Sequence, residues 1–367
     1  MRIEVLRCYL KLLTCKGIGV LQARFLLDCF NDVLKIFDEE QWLNNRDKKL
    51  SVDLKNKLFD KSNDTIINQE IEFILKEKIQ CVGLLDSDYP KLLKECPDAP
   101  VILFYKGNLE VLTTNCLAVV GTRKITSYGK HCVQNLCNEL QGYPITIVSG
   151  MAYGVDIEAF HQCKQVNLPM VGVMGTSFKR IYPAAHKKYY NYLVEKGLII
   201  TEYAGFNELV PELFTRRNRI IAGLSQATVV IESAFKGGAL ATAYYANEYN
   251  REVYAVPGRL NDIYSQGCLR LIQESRAQVL FDFSTLITDL NLDIKQETIN
   301  LSTSKVDRNS LNDYQRTIVD HLENGSLHID TLCELTGYEM NILNSELMLL
   351  ELQDLVVGLP GKLFQLK

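Results

Sequence analysis

Short apolar runs alternate with segments of helical spacing through the middle of the chain. Each run covers about five residues and ends at a glycine, a proline or a polar residue, a pattern typical of buried strands. Strands that alternate with helices predict an α/β fold with a mainly parallel sheet, and we assign this domain to residues 79–289. The predicted strands are 81–85, 101–105, 116–120, 145–149, 170–174, 198–201, 227–231 and 252–256, and the predicted helices are 128–140, 156–165, 187–195, 218–224 and 240–249.

The first 78 residues lack such strands, and their apolar residues follow helical spacing. Residues 3–13 and 21–30 predict two helices, with Gly17 and Gly19 between them. One interpretation of these glycines is a tight helix–helix turn that uses the freedom of glycine in φ. The other is a turn that presents backbone N–H groups to a DNA phosphate, as helix-hairpin-helix units do. We predict a small all-helical domain at 1–78 and leave both interpretations open.

The end of the chain predicts a further small domain. Residues 290–308 are polar and without periodicity, which predicts a linker. Residues 309–367 predict three helices and a two-stranded hairpin that turns at Pro360-Gly361, the pattern of a winged helix. The third helix, near 341–353, contains no lysine or arginine, whereas a DNA-reading helix brings cations to the phosphates. We therefore favour a protein-binding or regulatory role for this domain over DNA reading.

Composition narrows the class of protein. Hydrophobic residues make up 47% of the chain and charged residues 23%, the balance of an ordinary globular protein. No apolar run reaches the roughly 18 residues of a membrane span and the start carries no secretion signal, so we predict a cytoplasmic protein without membrane contact. The eleven cysteines include no C-x-x-C pair, so most are predicted to be buried and reduced. His131, His161 and His186 show no ligand spacing, and no metal site is predicted.

Charge is distributed unevenly along the chain. The net charge is −4, which argues against a protein that coats nucleic acid with a generally basic surface. Residues 112–285, however, contain 17 Lys and Arg against 13 Asp and Glu, so the remainder of the chain has a net charge of −8. A site for a polyanion is therefore expected to be a local pocket in the middle of the chain.

Four loops that contain glycine follow strands of the predicted sheet. Glycines let the backbone approach an anion, and N–H groups at the start of the next helix donate to it. The loops contain Gly121-Thr122-Arg123-Lys124, Ser149-Gly150-Met151, Met174-Gly175-Thr176 and Lys236-Gly237-Gly238, and a basic segment, Phe214-Thr215-Arg216-Arg217-Asn218-Arg219, adds three cations. None of the loops is a G-x-G-x-x-G fingerprint or a P-loop, so no nucleotide cofactor is predicted.

The order of these motifs closely resembles the DNA-processing protein A (DprA/Smf) family. The motifs are VGTRK, IVSGMAYGVD, RNRIIAGLS, KGGALATA and REVYAVPG, and the resemblance spans about 80–285 and continues into both ends of the chain. It implies an extended Rossmann-like domain with a sterile-alpha-motif-like N-terminal domain and a C-terminal winged helix. It also implies a homodimer that binds single-stranded DNA, protects incoming strands during natural transformation and helps to load the recombinase RecA. No catalysed reaction and no cofactor are implied.

The resemblance also implies a binding site on matching positions. Gly121, Thr122 and Arg123 correspond to a phosphate contact of the family, and Phe214 is a candidate ring for base stacking. The complete predicted site is Gly121, Thr122, Arg123, Lys124, Ser149, Gly150, Met151, Phe214, Arg216, Arg217, Asn218, Arg219, Lys236, Gly237 and Gly238.

The sequence departs from the family pattern in three places. Gly237 and Ala239 stand where the family usually has serines, which removes two possible phosphate donors. His186 stands where the family often has asparagine, and Arg216 is an additional cation. We expect the pocket to survive with an altered affinity.

Two other functions compete with this prediction. KGGALATA distantly resembles the loop of the LOG-type nucleoside monophosphate phosphoribohydrolases, but Tyr245 stands where those enzymes have a glutamate. Glu232 is then interpreted as a strand-end residue that accepts hydrogen bonds from loop amides rather than as a catalytic acid. The other alternative is a scaffold that dimerises and recruits a recombinase with little DNA affinity of its own.

Overall fold

The computed structural model of the chain describes residues 1–44, 50–205, 210–292, 311–322, 326–353, 355–359 and 362–366. The chain divides into two units, Met1–Lys295 and Gln296–Lys367. The predicted linker therefore lies outside the described residues from position 293 onward, while Leu290 and Leu292 are buried in the core of the first unit. Among the described residues, no helix combines the length and the apolar character that crossing a membrane requires.

A nine-stranded sheet forms the centre of the first unit. Its strands are β1 (Gln80–Gly83), β2 (Ile102–Gly107), β3 (Asn115–Val120), β4 (Ile145–Ser149), β5 (Met170–Val173), β6 (Leu198–Thr201), β7 (Ala227–Val230), β8 (Glu252–Ala255) and β9 (Gln278–Val279). Their order in the sheet is β1-β2-β6-β5-β4-β3-β7-β8-β9. The seven strands β6-β5-β4-β3-β7-β8-β9 each pair in parallel with their neighbours in this series. Strand β2 pairs antiparallel with both β1 and β6. The predicted α/β fold with a mainly parallel sheet is confirmed.

Along the chain, helices come before the first strand of the sheet, between most of its strands and after the last one. The first unit contains α1 (Ile3–Thr14), α2 (Val20–Phe30), α3 (Val33–Ile36), α4 (Glu39–Asn44), α5 (Val52–Phe59), α6 (Asp64–Lys76), α7 (Lys91–Glu95), α8 (Ser127–Glu139), α9 (Val155–Gln165), α10 (Lys187–Lys196), α11 (Glu212–Leu224), α12 (Ala239–Glu248), α13 (Gln266–Gln273) and α14 (Thr285–Asp289). Helices α8 and α9 pack side by side, as do α11 and α12. Nearly all residues of the parallel strands from β3 to β7 are buried, as their continuous apolar runs predict.

The chain reverses its direction across the sheet at β3. From β3 it proceeds through β4 and β5 to β6 on one side, and then returns to place β7, β8 and β9 on the other side. The loops after β3 and β7 therefore lead to helices that diverge, which opens a crevice at the carboxyl ends of these two strands. Open α/β sheets bind their ligands at such a crevice.

The N-terminal helices pack onto the sheet through a continuous core. A Cβ atom on Gly83 would lie 2.5 Å from the hydroxyl oxygen of Tyr9, so glycine is needed where α1 approaches β1. Gly17 has a φ of 85°, and the Ile18 N–H donates to the Cys15 carbonyl at 3.2 Å. The tight-turn interpretation accounts for Gly17, while the phosphate-binding interpretation and the domain boundary after residue 78 remain predictions.

The second unit contains three helices and a small sheet. These elements are α15 (Asp313–Leu322), α16 (Ile329–Thr336), α17 (Met340–Leu352), β10 (Leu327–His328), β11 (Val356–Leu359) and β12 (Leu363–Leu366). The sheet has the order β10-β12-β11, so it contains one strand more than the predicted hairpin. The hydrophobic pattern does not reveal β10 because that strand has only two residues. The predicted Pro360-Gly361 turn lies outside the described residues.

Helix α11 is longer than the sequence pattern predicts. The pattern places a helix at 218–224, whereas α11 begins at Glu212. Apart from Leu213 and Phe214, its first two turns are polar or basic, so hydrophobic spacing gives little signal there, although arginine and glutamate are good helix formers. The basic segment is therefore helical, and this changes where each of its side chains lies.

Candidate functional site

Helix α11 separates the residues of the basic segment onto two faces. Residues three and four apart lie on the same side of a helix. Phe214, Arg217 and Asn218 accordingly share one face and line the same cleft. Arg216 and Arg219 share another face, and both pair with Glu202.

The cleft beside Phe214, Arg217 and Asn218, which we call the main cleft, lies at the carboxyl ends of β3 and β7. It has a volume of about 250 Å³. Its lining residues come from α11, from the end of β3, from the loops after β3, β4 and β7, and from the starts of α9 and α12: Val120, Gly121, Thr122, Arg123, Ala152, Asp156, Phe214, Thr215, Arg217, Asn218, Ile221, Ala234, Gly237, Gly238, Ala239 and Thr242. Larger cavities of 320, 360 and 710 Å³ lie elsewhere in the first unit, but the four glycine-containing loops that follow the strands line none of them.

An exposed arginine and two aromatic rings border the main cleft. The guanidinium carbon of Arg123 lies 5.9 Å from the centre of the Phe214 ring. The Tyr182 ring lies 5.3 Å from Phe214, and 43% of Tyr182 is exposed. A narrow extension of the cleft continues between these side chains toward Tyr153, which is 47% exposed. The site thus presents one accessible cation beside several accessible ring faces.

Arg217 is buried and holds two strand ends together. Its Nη1 donates to the carbonyl oxygens of Gly150 and Val173, and its Nε donates to Asn218 Oδ1 at 3.2 Å. Burial lowers the pKa of Arg217 to about 10, an effect that Asp156 opposes and Arg123 reinforces. The guanidinium therefore remains charged at neutral pH, and it contributes a positive potential at the floor of the cleft.

Asp156 is the acidic partner of Arg217 in the cleft. Burial raises the pKa of its carboxyl group, and the charge of Arg217 opposes this shift. The Ala152 N–H donates to Asp156 Oδ2 at 3.1 Å. A Cβ atom on Gly150 would lie 2.6 Å from both the Arg217 guanidinium and the Asp156 carboxylate, so glycine is required at this position. The Asp156 carboxylate and the Arg217 guanidinium both border Gly150 in the loop after β4, and Arg123 is the more accessible cation.

Backbone contacts fix the loop after β3 against its neighbours. The Thr122 N–H donates to the Glu232 carbonyl at 2.7 Å, and the Thr122 carbonyl accepts from the Val155 N–H at 3.1 Å. The Glu232 carboxylate accepts from the Thr126 N–H at 2.9 Å and from the Thr126 hydroxyl at 2.5 Å. Glu232 is 3% exposed and does not line the main cleft. The interpretation of Glu232 as a strand-end acceptor is confirmed.

Arg216 and Arg219 lie away from the main cleft. The Nη2 of Arg219 donates to Glu202 Oε2 at 2.5 Å, and its Nη1 donates to the Asp98 carbonyl. Arg219 is 3% exposed, so this ion pair is buried. Arg216 is more exposed, and its Nε lies 3.5 Å from Glu202 Oε1. The structure therefore separates both side chains from the cluster in which the sequence prediction placed them.

Other members of the predicted site form the framework of the loops. The Ser149 hydroxyl is buried and donates to the Val119 carbonyl at 2.7 Å. Met151 is buried with a φ of 59°, and its carbonyl lies 2.8 Å from His186 Nδ1. His186 thus supports this loop from below, which gives a structural reason for a histidine at this position.

The remaining predicted residues lie at the rim. Lys124 and Lys236 are exposed, but neither lines the main cleft, whereas Gly237 and Gly238 do. A Cβ atom on Gly237 would lie 2.2 Å from the Ser233 hydroxyl oxygen, while Gly238 has no atom within 4 Å of such a position. A side chain at 237 therefore requires Ser233 to move.

Sequence reasoning did not include Tyr182, Tyr153 or Asp156 in the site. Both tyrosines follow glycines in loops after predicted strands, and an aromatic residue in such a loop is a usable signal of an exposed ring. Asp156 was placed at the start of a predicted helix, and nothing in the sequence indicates its pairing with Arg217. The described residues contain no group of three or more His, Cys, Asp or Glu side chains arranged to hold a metal ion.

Comparison with models of known protein families shows which family the chain belongs to. The family model described as DNA recombination-mediator protein A matches residues 80–291. The chain belongs to this family. A second model, the DprA winged helix domain, matches residues 303–362. The resemblance stated from the loop motifs is confirmed over both regions.

Individual relatives agree with the family assignment. Protein Smf of Synechocystis is 38% identical over 209 residues, which are 56% of this chain and 52% of that protein. The DNA processing protein DprA of Streptococcus pneumoniae is 38% identical over 198 residues, 54% of this chain and 70% of that protein. The alignment thus spans about half the length of the Synechocystis protein.

Two solved structures of the family resemble this fold. The X-ray structure of DNA processing protein A from Streptococcus pneumoniae has a TM-score of 0.61 and 29% identity, and the match covers 74% of this chain and 98% of that one. A structure of the same protein from Helicobacter pylori describes a single-stranded DNA binding mode. It has a TM-score of 0.53 and 28% identity, and the match covers 58% of this chain and 96% of that one.

Proposed function

We propose that the main cleft and its aromatic border bind single-stranded DNA and that the chain acts as a recombination mediator. The observation that carries this proposal is the position of Arg123 beside the accessible rings of Phe214 and Tyr182, at the edge of glycine-containing loops. Single-strand binders combine cations along the backbone with ring faces on which bases stack. The Helicobacter pylori relative, whose structure concerns single-stranded DNA binding, supports the same ligand.

The geometry suggests how one strand engages the site. A phosphate in the main cleft contacts Arg123 and the backbone N–H groups of the glycine loops, with Arg217 adding charge from below. The adjacent bases stack on Phe214 and Tyr182, each stacked base contributing about 1–3 kcal/mol. A ring face accepts any base, so binding is expected to depend little on sequence. Duplex DNA keeps its bases stacked on one another and cannot use the rings.

Three further properties belong to this proposal. We propose that the bound strand is presented to the recombinase RecA, that the chain acts as a homodimer, and that it catalyses no reaction. The family description as a recombination mediator supports the first property. The last is supported by the hydrogen bonds that occupy the Glu232 carboxylate and by the tyrosine at position 245.

The test is equilibrium binding of a labelled oligothymidylate, measured by fluorescence anisotropy over a range of salt concentrations. Arg123→Ala is expected to weaken binding about 10-fold or more, because a hydrogen bond to a charged group contributes about 1.5–3 kcal/mol. The slope of log affinity against log salt is expected to fall by about 0.7 for each lost phosphate contact. Arg216→Ala is the matched control, since it removes the same charge from the other face of α11.

Each alternative function has its own outcome in this test. Equal loss of affinity in Arg123→Ala and Arg216→Ala would contradict the assignment to the main cleft. No binding by the wild type, together with intact recruitment of RecA, would favour the scaffold. Release of adenine from AMP by the wild type would favour the phosphoribohydrolase.

A further inference from the structure

A band of lysines and aromatic rings lies on α8, α9 and α10, next to the proposed binding site. We call it the lysine strip, and define it by Lys130 of α8, Lys164 of α9, Lys188 of α10 and the rings of His161, Tyr189 and Tyr192. All three lysines are exposed. None of these six residues belongs to the main cleft or to its extension.

Ring contacts connect the lysine strip to the main cleft. Tyr153 lines the extension of the cleft, and its ring centre lies 4.7 Å from that of His186. The His186 ring lies 5.7 Å from Tyr189, and the Tyr189 ring lies 5.0 Å from His161. The Tyr189 hydroxyl is 2.6 Å from His161 Nε2. The buried His186 ring thus packs between Tyr153, at the cleft, and Tyr189, in the lysine strip, and holds these two parts of the surface next to each other.

Two of the lysines lie against these rings, and none of the three forms an ion pair with a neighbouring carboxylate. The Nζ of Lys188 lies 4.8 Å from the centre of the Tyr189 ring, and the Nζ of Lys164 lies 4.9 Å from that of Tyr192. Within the described part of the chain, no carboxylate oxygen lies within 4.0 Å of the Nζ of Lys130, Lys164 or Lys188. The cations are therefore available to an external anion.

The charges of the three lysines act together on the pKa of His161. Burial lowers the pKa of its imidazole, and the charges of Lys188, Lys164 and Lys130 lower it further, against the opposing effect of Glu158. Glu158 accepts a hydrogen bond from Gln162 at 2.8 Å, which occupies part of its carboxylate. Lysines of three different helices thus act on the same imidazole, although they lie far apart in the sequence.

We propose that a single strand longer than the main cleft continues across the lysine strip, with its phosphates on Lys164 and Lys188 and its bases near the exposed rings. This inference rests on the proposed function, because it extends the path of the same ligand. Charge complementarity favours a polyanion on this surface, and the accessible rings of Tyr153 and His161 favour one with unstacked bases. A surface with lysines alone would suit any polyanion, whereas here exposed rings lie both at the cleft and among the lysines.

The test compares two lengths of oligothymidylate, because single-strand sites span about 4–16 nucleotides. The double variant Lys164→Ala/Lys188→Ala is measured with a strand of about 5 nucleotides, near the lower end of that range, and with one of about 20 nucleotides, above it. With the long strand, the salt slope is expected to fall by about 1.4, since each single-strand phosphate contact contributes about 0.7. Between 50 and 200 mM salt, the affinity of the wild type for the long strand should therefore fall by a factor about seven times larger than the affinity of the variant does. Affinity for the short strand is expected to stay unchanged.

Two control variants accompany the experiment. Lys91→Ala/Lys94→Ala makes the same change in net charge on α7, where Lys91 lines the cavity at the amino ends of the strands, and it should match the wild type with both strands. Lys164→Arg/Lys188→Arg keeps both charges and should retain the wild-type salt slope. Thermal unfolding followed by circular dichroism checks that each variant is folded.

The possible outcomes separate this inference from the proposed function. A long-strand affinity and salt slope equal to those of the wild type in Lys164→Ala/Lys188→Ala would overturn the path across the lysine strip while leaving the main cleft intact. Equal losses with short and long strands, or equal losses in Lys91→Ala/Lys94→Ala, would also overturn it. Failure of the wild type to bind either strand would instead overturn the proposed function.

Discussion

At the scale of single residues, neighbouring arginines of one helix have different roles. Arg217 holds the loop after β4 through carbonyl hydrogen bonds, while Arg219 forms a buried ion pair with Glu202. Arg216 lies at the surface beside the same glutamate. Arg123, which is distant in sequence, is the accessible cation of the cleft and lies over Phe214. Burial and partners, rather than charge alone, decide which of these cations can meet a phosphate.

Arg219→Met is expected to reduce stability rather than DNA affinity. The change leaves the buried Glu202 carboxylate without its closest cation, and breaking a buried ion pair costs about 3–5 kcal/mol. Urea unfolding, monitored by circular dichroism, measures this loss. Adding Glu202→Gln should recover part of the stability, because the uncompensated charge is then removed.

The affinity of the folded Arg219→Met variant for oligothymidylate provides the second measurement for this residue. The main cleft does not include Arg219, so affinity should stay close to that of the wild type. A loss as large as that of Arg123→Ala would show that Arg219 belongs to the binding site.

Some residue-level features of the site could be predicted from the sequence, and others could not. Arg123, Arg217 and Phe214 were predicted for the site, and the structure brings all three to the main cleft. Hydrophobic spacing could not locate the start of α11, and without it the two faces of that helix could not be distinguished. The charge of Arg217 in α11 acts on Asp156 in α9, and this proximity follows only from the fold.

At the scale of elements, the site depends on loops that contact one another through their backbones. The loop after β3 bonds to the end of β7 and to the start of α9. Gly154, which precedes α9, has a φ of 81°, and a Cβ atom there would lie 2.1 Å from the Thr122 carbonyl oxygen. The glycines of this edge therefore set the distance between loops as well as the access of an anion to the backbone.

Gly154→Ala is expected to destabilise the protein and to weaken DNA binding. A residue held in a disfavoured backbone region costs about 1–3 kcal/mol, and the clash with the Thr122 carbonyl adds to this cost. The loop that carries Arg123 must shift to relieve the clash, so affinity should fall as well. Urea unfolding and anisotropy with an oligothymidylate measure the two effects.

Gly238→Ala is the matched control at the same edge. Gly238 has a φ of −64°, and no atom lies within 4 Å of an added Cβ, so stability should change by less than about 0.5 kcal/mol. Equal destabilisation by the two substitutions would contradict the role assigned to the backbone contact at Gly154.

At the scale of the whole molecule, the sequence predicted the architecture better than the site. Alternating apolar runs and helical segments identified the parallel strands from β3 to β8 to within one residue at their ends, because buried strands are continuous in hydrophobicity. The two-residue strands β9 and β10 left no such pattern. The position of the cleft follows from the reversal of strand order at β3, which a list of predicted elements does not contain.

The central claim is that single-stranded DNA lies across the aromatic border of the main cleft. Photocrosslinking with an oligothymidylate that contains 4-thiothymidine, followed by mass spectrometry, locates the bases directly. We expect adducts at Tyr182, Phe214 and Tyr153, and we expect Arg123→Ala to reduce them while Arg216→Ala does not. Adducts found mainly in residues 311–366, with none in the loops after β3, β4 and β5 or in α11, would contradict the account.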